Sequence, residues 1–385
     1  MPGGTRRELP SAMFARPLAW IAWLALLAGC GSKTGLLVPD IGSFDATDTA
    51  VLDHEDVPLV CRDGVFSLEP RAADIVLVVD RSGSMSQPLG AGGVSKWIAL
   101  RNALANTLPR YTAQLGIGAF FYPAAGATMQ MPFCTLTAGT GIDVEPATGT
   151  GTRVIDIFGT TNPGGSTPTA GALQRAYDWF ASHSNRAHSQ FLVLATDGGP
   201  NCNAALDPRT CTCAGNRMGG VCGRNATDGS MCLDDTRTVD VITRLANDPA
   251  IRIPTYVIGL AAQGDPIFAA TLTSMAIAGG RPNVSSGMPS FYDVRESSDL
   301  ESAFDAIVSS IARCTFVTPS VPADPSAITI ALDGTDITHD TTHRDGWDWT
   351  DGTGGEITLF GGACTTATAT MRAPVATVHC PDDGG

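Results

Sequence analysis

Basic residues are scarce in this chain. Twenty-four Lys and Arg stand against 38 Asp and Glu, giving a formal charge of −14. A surface so acidic repels phosphate backbones and anionic lipid, which excludes nucleic acid as an expected partner. Histidine is also sparse: the six are His54, His183, His188, His339, His343 and His379, and none sits in a recognisable motif. There is no G-x-S-x-G elbow, no H-E-x-x-H and no P-loop, so no enzyme is expected. Charged residues make up only 16% of the chain, while 43 Gly and 25 Pro point to much loop and some β structure.

What is present begins with an export signal. Arg6, Arg7 and Arg16 precede an apolar stretch at 18–27. It is too short to span a bilayer comfortably and has the shape of a signal-peptide core. It ends in Leu27-Ala28-Gly29-Cys30, which resembles a bacterial lipobox, so residues 1–29 are expected to be removed and Cys30 to carry lipid. Gly31-Ser32 places no aspartate after that cysteine; by resemblance to enteric sorting rules, an exported bacterial lipoprotein at the outer membrane or cell surface is expected rather than at the inner membrane. Cysteine parity agrees. Setting Cys30 aside from the 11 cysteines leaves ten, enough for five disulfides in an oxidising compartment. Zinc on Cys211, Cys213 and their neighbours is the weaker alternative, since no C-x-x-C pair or nearby histidine supports it.

Residues 30–60 read as an acidic flexible tether without apolar period, with a coil's reach of roughly 30 Å. From Asp74 onward, strands alternate with helices, the pattern of an α/β domain with a doubly wound, mostly parallel sheet flanked by helices. This domain is expected over 61–314. Helices are expected over Lys96–Leu108, Thr169–Ser182, 236–247, 265–277 and Asp299–Ala312. Strands are expected from Asp74, at Gln114–Tyr122, Gln190–Ala195, Thr255–Leu260 and around Ser290–Val294, with short ones near Met129 and at Val154–Ile157. A Cys-rich insertion at 199–234 interrupts the rhythm, and 315–385 reads as a small disulfide-stapled β module. Cys61–Cys314 is expected to clasp the ends of the α/β domain, and Cys364–Cys380 to close the module. The insertion's odd number of cysteines suggests that Cys134 pairs with one of Cys202, Cys211, Cys213, Cys222 and Cys232.

The chemistry lies at the ends of strands. In an open parallel sheet, ligands bind beyond the strands' C-terminal ends. The run Ile75-Val76-Leu77-Val78-Val79 leads straight into Asp80-Arg81-Ser82-Gly83-Ser84. Alternate residues of an extended loop face one way, so Asp80, Ser82 and Ser84 can converge. Thr167 precedes a helix and Asp197 follows another apolar strand, which brings a third hydroxyl and a second carboxylate to the same edge. Such hard oxygen donors suit Mg²⁺ or Mn²⁺ better than zinc.

The combination D-x-S-x-S, a threonine before a helix and an aspartate after a central strand resembles the von Willebrand factor type A domain with its metal ion-dependent adhesion site. The resemblance spans about Asp74 to Cys314. It implies direct ligation by Ser82, Ser84 and Thr167, with Asp80 and Asp197 supplying charge and orienting water. It also implies Mg²⁺ as the ion, with Mn²⁺ or Ca²⁺ as substitutes, and a protein or other acidic partner whose carboxylate completes the shell. The function expected is therefore metal-dependent adhesion by a protein held to a membrane through its lipid. The alternative is a structural docking protein of the envelope, in which the ion only rigidifies the loop. His339 and His343 are expected to be surface residues, and Trp347 and Trp349 to pack the module.

Overall fold

Ala73–Asp80, Leu115–Tyr122, Ser189–Thr196 and Thr255–Leu260 are buried at every position. Strands with no wet face must lie between two layers of helix. The computed structural model describes residues 61–91, 93–111, 114–128, 133–184, 187–215, 222, 227–285, 287–351 and 354–380. The expected signal peptide, Cys30, the expected tether and Met129 lie outside the described residues.

Two short strands open the described chain, β1 (Gly64–Ser67) and β2 (Glu69–Pro70). The α/β body follows as β3 (Ala73–Asp80), α1 (Lys96–Thr107), β4 (Leu115–Tyr122), α2 (Gly151–Thr160), α3 (Thr169–Ser182), β5 (Ser189–Thr196), α4 (Asp235–Asn247), β6 (Thr255–Leu260), α5 (Pro266–Ala278), β7 (Tyr292–Val294) and α6 (Ser297–Cys314). Its sheet is parallel throughout, in the order β4-β3-β5-β6-β7. Alternation along β3 feeds both layers. Ile75, Leu77 and Val79 pack with Leu100, Leu104, Val154 and Ile307 on one face. Val76 and Val78 pack with Leu173, Phe180, Ile242 and Leu272 on the other. The expected doubly wound α/β class is what forms.

The Val154–Ile157 stretch, expected as a strand, lies instead in α2. Val154 and Phe158, four residues apart, are both buried, which is helical spacing. The short β-branched run concealed this period.

The remaining chain supplies β8 (Thr315–Val317), β9 (Ile328–Leu332), β10 (Thr335–Ile337), β11 (Gly346–Asp351), β12 (Glu356–Phe360), α7 (Gly361–Thr370) and β13 (Val375–Val378). They build two antiparallel sheets, β1-β13-β9-β10 and β11-β12-β8-β2. Trp347 and Ile330 are in the core between them, and Trp349 meets Trp347 edge-on at 5.8 Å. The module is therefore not residues 315–385 alone, because the start of the expected α/β domain contributes a strand to each of its sheets.

This sharing corrects two disulfides. β1 pairs antiparallel with β13, Gly64 opposite Val378, which brings Cys61 to Cys380 rather than to Cys314. Cys314, at the end of α6, bonds Cys364 on α7, so Cys364–Cys380 is not formed. The other three bonds are Cys134–Cys202, Cys211–Cys232 and Cys213–Cys222.

The module docks on the N-terminal ends of the parallel strands. Ser189, first in β5, donates to Glu356 Oε2 at 2.6 Å, and Arg71 Nε lies 3.3 Å from the same oxygen. The Arg281 guanidinium lies over the rings of Phe191 and Phe360. His343 reaches Gly280 O through Nδ1 at 2.9 Å, and the Nε2 atoms of His339 and His343 each lie 2.8 Å from an oxygen of Asp348.

Candidate metal centre

The opposite, C-terminal edge of the sheet gathers the five predicted donors. Asp80 ends β3 completely buried. Its Oδ1 accepts from Ser82 N at 2.7 Å, and its Oδ2 accepts from Thr196 Oγ1 on the adjacent strand, also at 2.7 Å. The chain then turns through one 3-10 turn, Gly83–Ser86, which carries Ser84 back beside Ser82. The two hydroxyl oxygens are 3.0 Å apart, and Ser84 donates to Asp197 Oδ1 at 2.8 Å. A Cβ placed on Gly198 would lie 3.7 Å from Thr167 Oγ1 and 3.8 Å from Ser84 Oγ, so the threonine faces the same point.

Two backbone bonds lace the first loop to the Thr167 loop: Gly83 N to Gly165 O and Gly164 N to Arg81 O. Gly165 has φ +77°, and a Cβ there would sit 2.8 Å from Phe133 O, so the crossing demands glycine. Beneath it, buried Arg81 donates two bonds to Pro123 O. Three residues that hold the site were not anticipated. Thr196 orients Asp80. Lys96, the first residue of α1, places Nζ 2.7 Å from Asp197 Oδ2. Asn201 accepts from Thr167 N at its Oδ1 and donates from its own N to Thr167 O, both at 2.9 Å. Sequence offered little for Lys96 or Asn201, since neither falls within a spaced motif.

The disulfide Cys134–Cys202 explains why Asn201 can hold Thr167. Phe133 O accepts from Ser166 N at 2.9 Å, so the segments leading into the two bonded cysteines grip the threonine loop from both sides. Asp234 N donates to Pro200 O, closing the base of the insertion. Asn201→Ala would leave the buried Thr167 N–H without its acceptor, an expected loss of about 1–3 kcal/mol in chemical unfolding.

The electrostatics suit a cation. Burial, followed by the charge of Asp197, pushes the Asp80 carboxyl up to about 7. Two carboxylates and three hydroxyls fit a hard divalent ion. Three further sulfurs, on Cys211, Cys222 and Cys232, lie within 4.8 Å of one another, but each belongs to a disulfide, which leaves no thiolate for zinc. No hydrogen bond joins a histidine to Ser82 or Ser84 among the described residues. The carboxylate bonded to Ser84 is that of Asp197, which also pairs with the Lys96 ammonium.

No family model matches the sequence, and no curated protein does. Solved structures do match. The PilB minor pilin from Streptococcus sanguinis is 16% identical, with 63% of this chain and 62% of that one covered and a TM-score of 0.43. This chain thus spans less than two thirds of that pilin's length. The vWF domain of the type V pili tip protein Mfa5 from Porphyromonas gingivalis gives 14% identity over 63% of this chain and 95% of that one, TM-score 0.41. The manganese-loaded TRAP protein of Plasmodium vivax gives 17% over 64% and 78%, TM-score 0.37. Among the matching structures, the Mfa5 domain and a protein from Catenulispora acidiphila are named as von Willebrand factor domains, the latter as type A.

Proposed function

We propose that this chain is a lipid-anchored adhesion protein of the von Willebrand factor A type, exposed in the envelope or at the cell surface. It holds Mg²⁺ at Asp80, Ser82, Ser84, Thr167 and Asp197. The observation that carries the reading is the convergence of five oxygen donors at one sheet edge, four of them buried and Ser84 exposed. When bound, the ion supplies an electrophilic centre for a carboxylate from a protein partner. Asp197 orients the Ser84 hydroxyl so that its lone pairs face the site, while Thr196 and Ser82 N fix Asp80. Pilus and tip proteins among the structural neighbours are in keeping with a protein partner.

The test is capture of envelope proteins on the immobilised, disulfide-intact chain in Mg²⁺, in EDTA, and with Asp197→Ala. Capture by the wild type in Mg²⁺ alone supports adhesion through the ion. Equal capture in all three overturns it and leaves a docking protein.

The raised Asp80 pKa gives the site a pH signature. An acid with a higher pKa folded than unfolded binds its proton more tightly when folded, so stability falls as pH rises between the two values. In EDTA, unfolding free energy is therefore expected to decline from about pH 4 to about pH 7. Mg²⁺ competes with that proton. Its affinity is expected to weaken on acidification below pH 7, approaching tenfold per pH unit for one proton displaced, as measured by calorimetric titration.

A further inference from the structure

Lys96 is buried, 8% exposed, and its ammonium makes a 2.7 Å bond to the oxygen of Asp197 that Ser84 does not use. Nothing in the helix asks for it. It occupies the first position of α1, where the helix macrodipole disfavours a cation, and the cap is already supplied by Ser95, whose side chain accepts from Ile98 N. Its stem crosses to the strand edge, where the ammonium donates to Asp197 Oδ2. Among the described residues no cation pairs with Asp80; its partners are Ser82 N and Thr196 Oγ1.

The charge balance follows. With both carboxylates ionised, the site would carry two negative charges, which a divalent ion would cancel. Lys96 removes one of them. The empty site then attracts a cation less, and the loaded site retains a positive charge that only an incoming anion can neutralise. We propose that Lys96 is a built-in counter-ion that weakens the hold on bare Mg²⁺ and strengthens the hold of the loaded site on a partner's carboxylate. Lys96 is then a specificity-determining residue, selecting acidic groups over neutral ones. This proposal rests on the metal-binding reading above.

The experiment uses the disulfide-intact chain, as wild type, Lys96→Met, Lys96→Gln and Lys96→Arg. Mg²⁺ alone is titrated calorimetrically, with chemical unfolding in EDTA run in parallel. Removing a like charge so close to the ion is expected to tighten Mg²⁺ binding about tenfold or more in the Met variant. The same substitution should lower its unfolding midpoint in EDTA, where the buried Asp197 carboxylate loses its cation. The Gln variant should follow in the same direction if the Met variant does not fold, and the Arg variant should stay near wild type. Acetate is then titrated against the Mn²⁺-loaded proteins, with displacement of metal-bound water followed by proton relaxation. Wild type should respond at several-fold lower acetate than either neutral variant. Folded neutral variants whose Mg²⁺ affinity equals or falls below that of wild type would overturn the role of Lys96 and leave the metal site standing. A wild-type chain that takes up neither Mg²⁺ nor Mn²⁺ would overturn both.

Discussion

Asp197→Ala is expected to lower unfolding free energy in EDTA by about 3–5 kcal/mol, the usual cost of removing one partner from a buried ion pair. The pair is well shielded: the Asp197 side chain is 0% exposed and that of Lys96 10%. Truncation strands an ammonium on the first turn of α1 and frees the Ser84 hydroxyl. A second substitution, Lys96→Met, should recover part of the loss, because it removes the orphaned charge. The double-mutant cycle in EDTA thus measures the pair without any ion present. In Mg²⁺ the contrast should widen. A wild-type chain at a hundredfold excess over its dissociation constant gains about 2.7 kcal/mol from binding, and the alanine variant should gain none. An alanine variant as stable as wild type in EDTA would mean that the ion pair contributes nothing to the edge of the sheet.

Cys61→Ser with Cys380→Ser should be the second large effect. The bond joins residues 319 apart, so its loss frees a very long loop in the unfolded state, worth about 5–6 kcal/mol on chain-entropy grounds. The Cys314–Cys364 bond spans 50 and should cost about 1.5 kcal/mol less on the same scale. Hydrogen exchange should show β1 and β13 opening first, since their pairing loses the crosslink that closes it. Urea unfolding at fixed pH decides the ranking, and the reverse order would show that native-state packing around α7 outweighs loop length.

The parallel sheet and its metal edge were legible because each rests on local information. β3, β5 and β6 are uninterrupted apolar runs, and Asp80, Thr167 and Asp197 each lie at an element boundary, where order along the chain fixes position in space. The module was less legible because its pairing is non-local. β1 and β2 lie some 250 residues or more from the strands they join, and nothing near Cys61 signals Cys380. β11 was hidden by the aspartates interleaved in Gly346–Asp351. The helix α7, Gly-Gly-Ala-Cys-Thr-Thr-Ala-Thr-Ala-Thr, has weak intrinsic propensity. It begins because Asp345 Oδ1 accepts from Gly362 N and Ala363 N, a capping carboxylate 17 and 18 residues before its partners and so invisible to a local reading. Lys96 escaped notice for a related reason: a lysine opening a helix reads as a solvated charge until the fold brings Asp197 to it.

The opposed placement of module and donor edge has a mechanical meaning. Cys61, the first described residue, lies in the module, and in the adhesion proposed above a partner seated on Ser84 would pull at the opposite edge of the sheet. The eight residues of β3 separate the two by about 25 Å of extended backbone. Tension between a surface and a bound partner would run along β3 and β5, loading their parallel ladder in shear, with many hydrogen bonds sharing the force. At that end, Cys61–Cys380 passes the pull into β13 as well as β1, so the antiparallel pair there cannot be peeled one rung at a time.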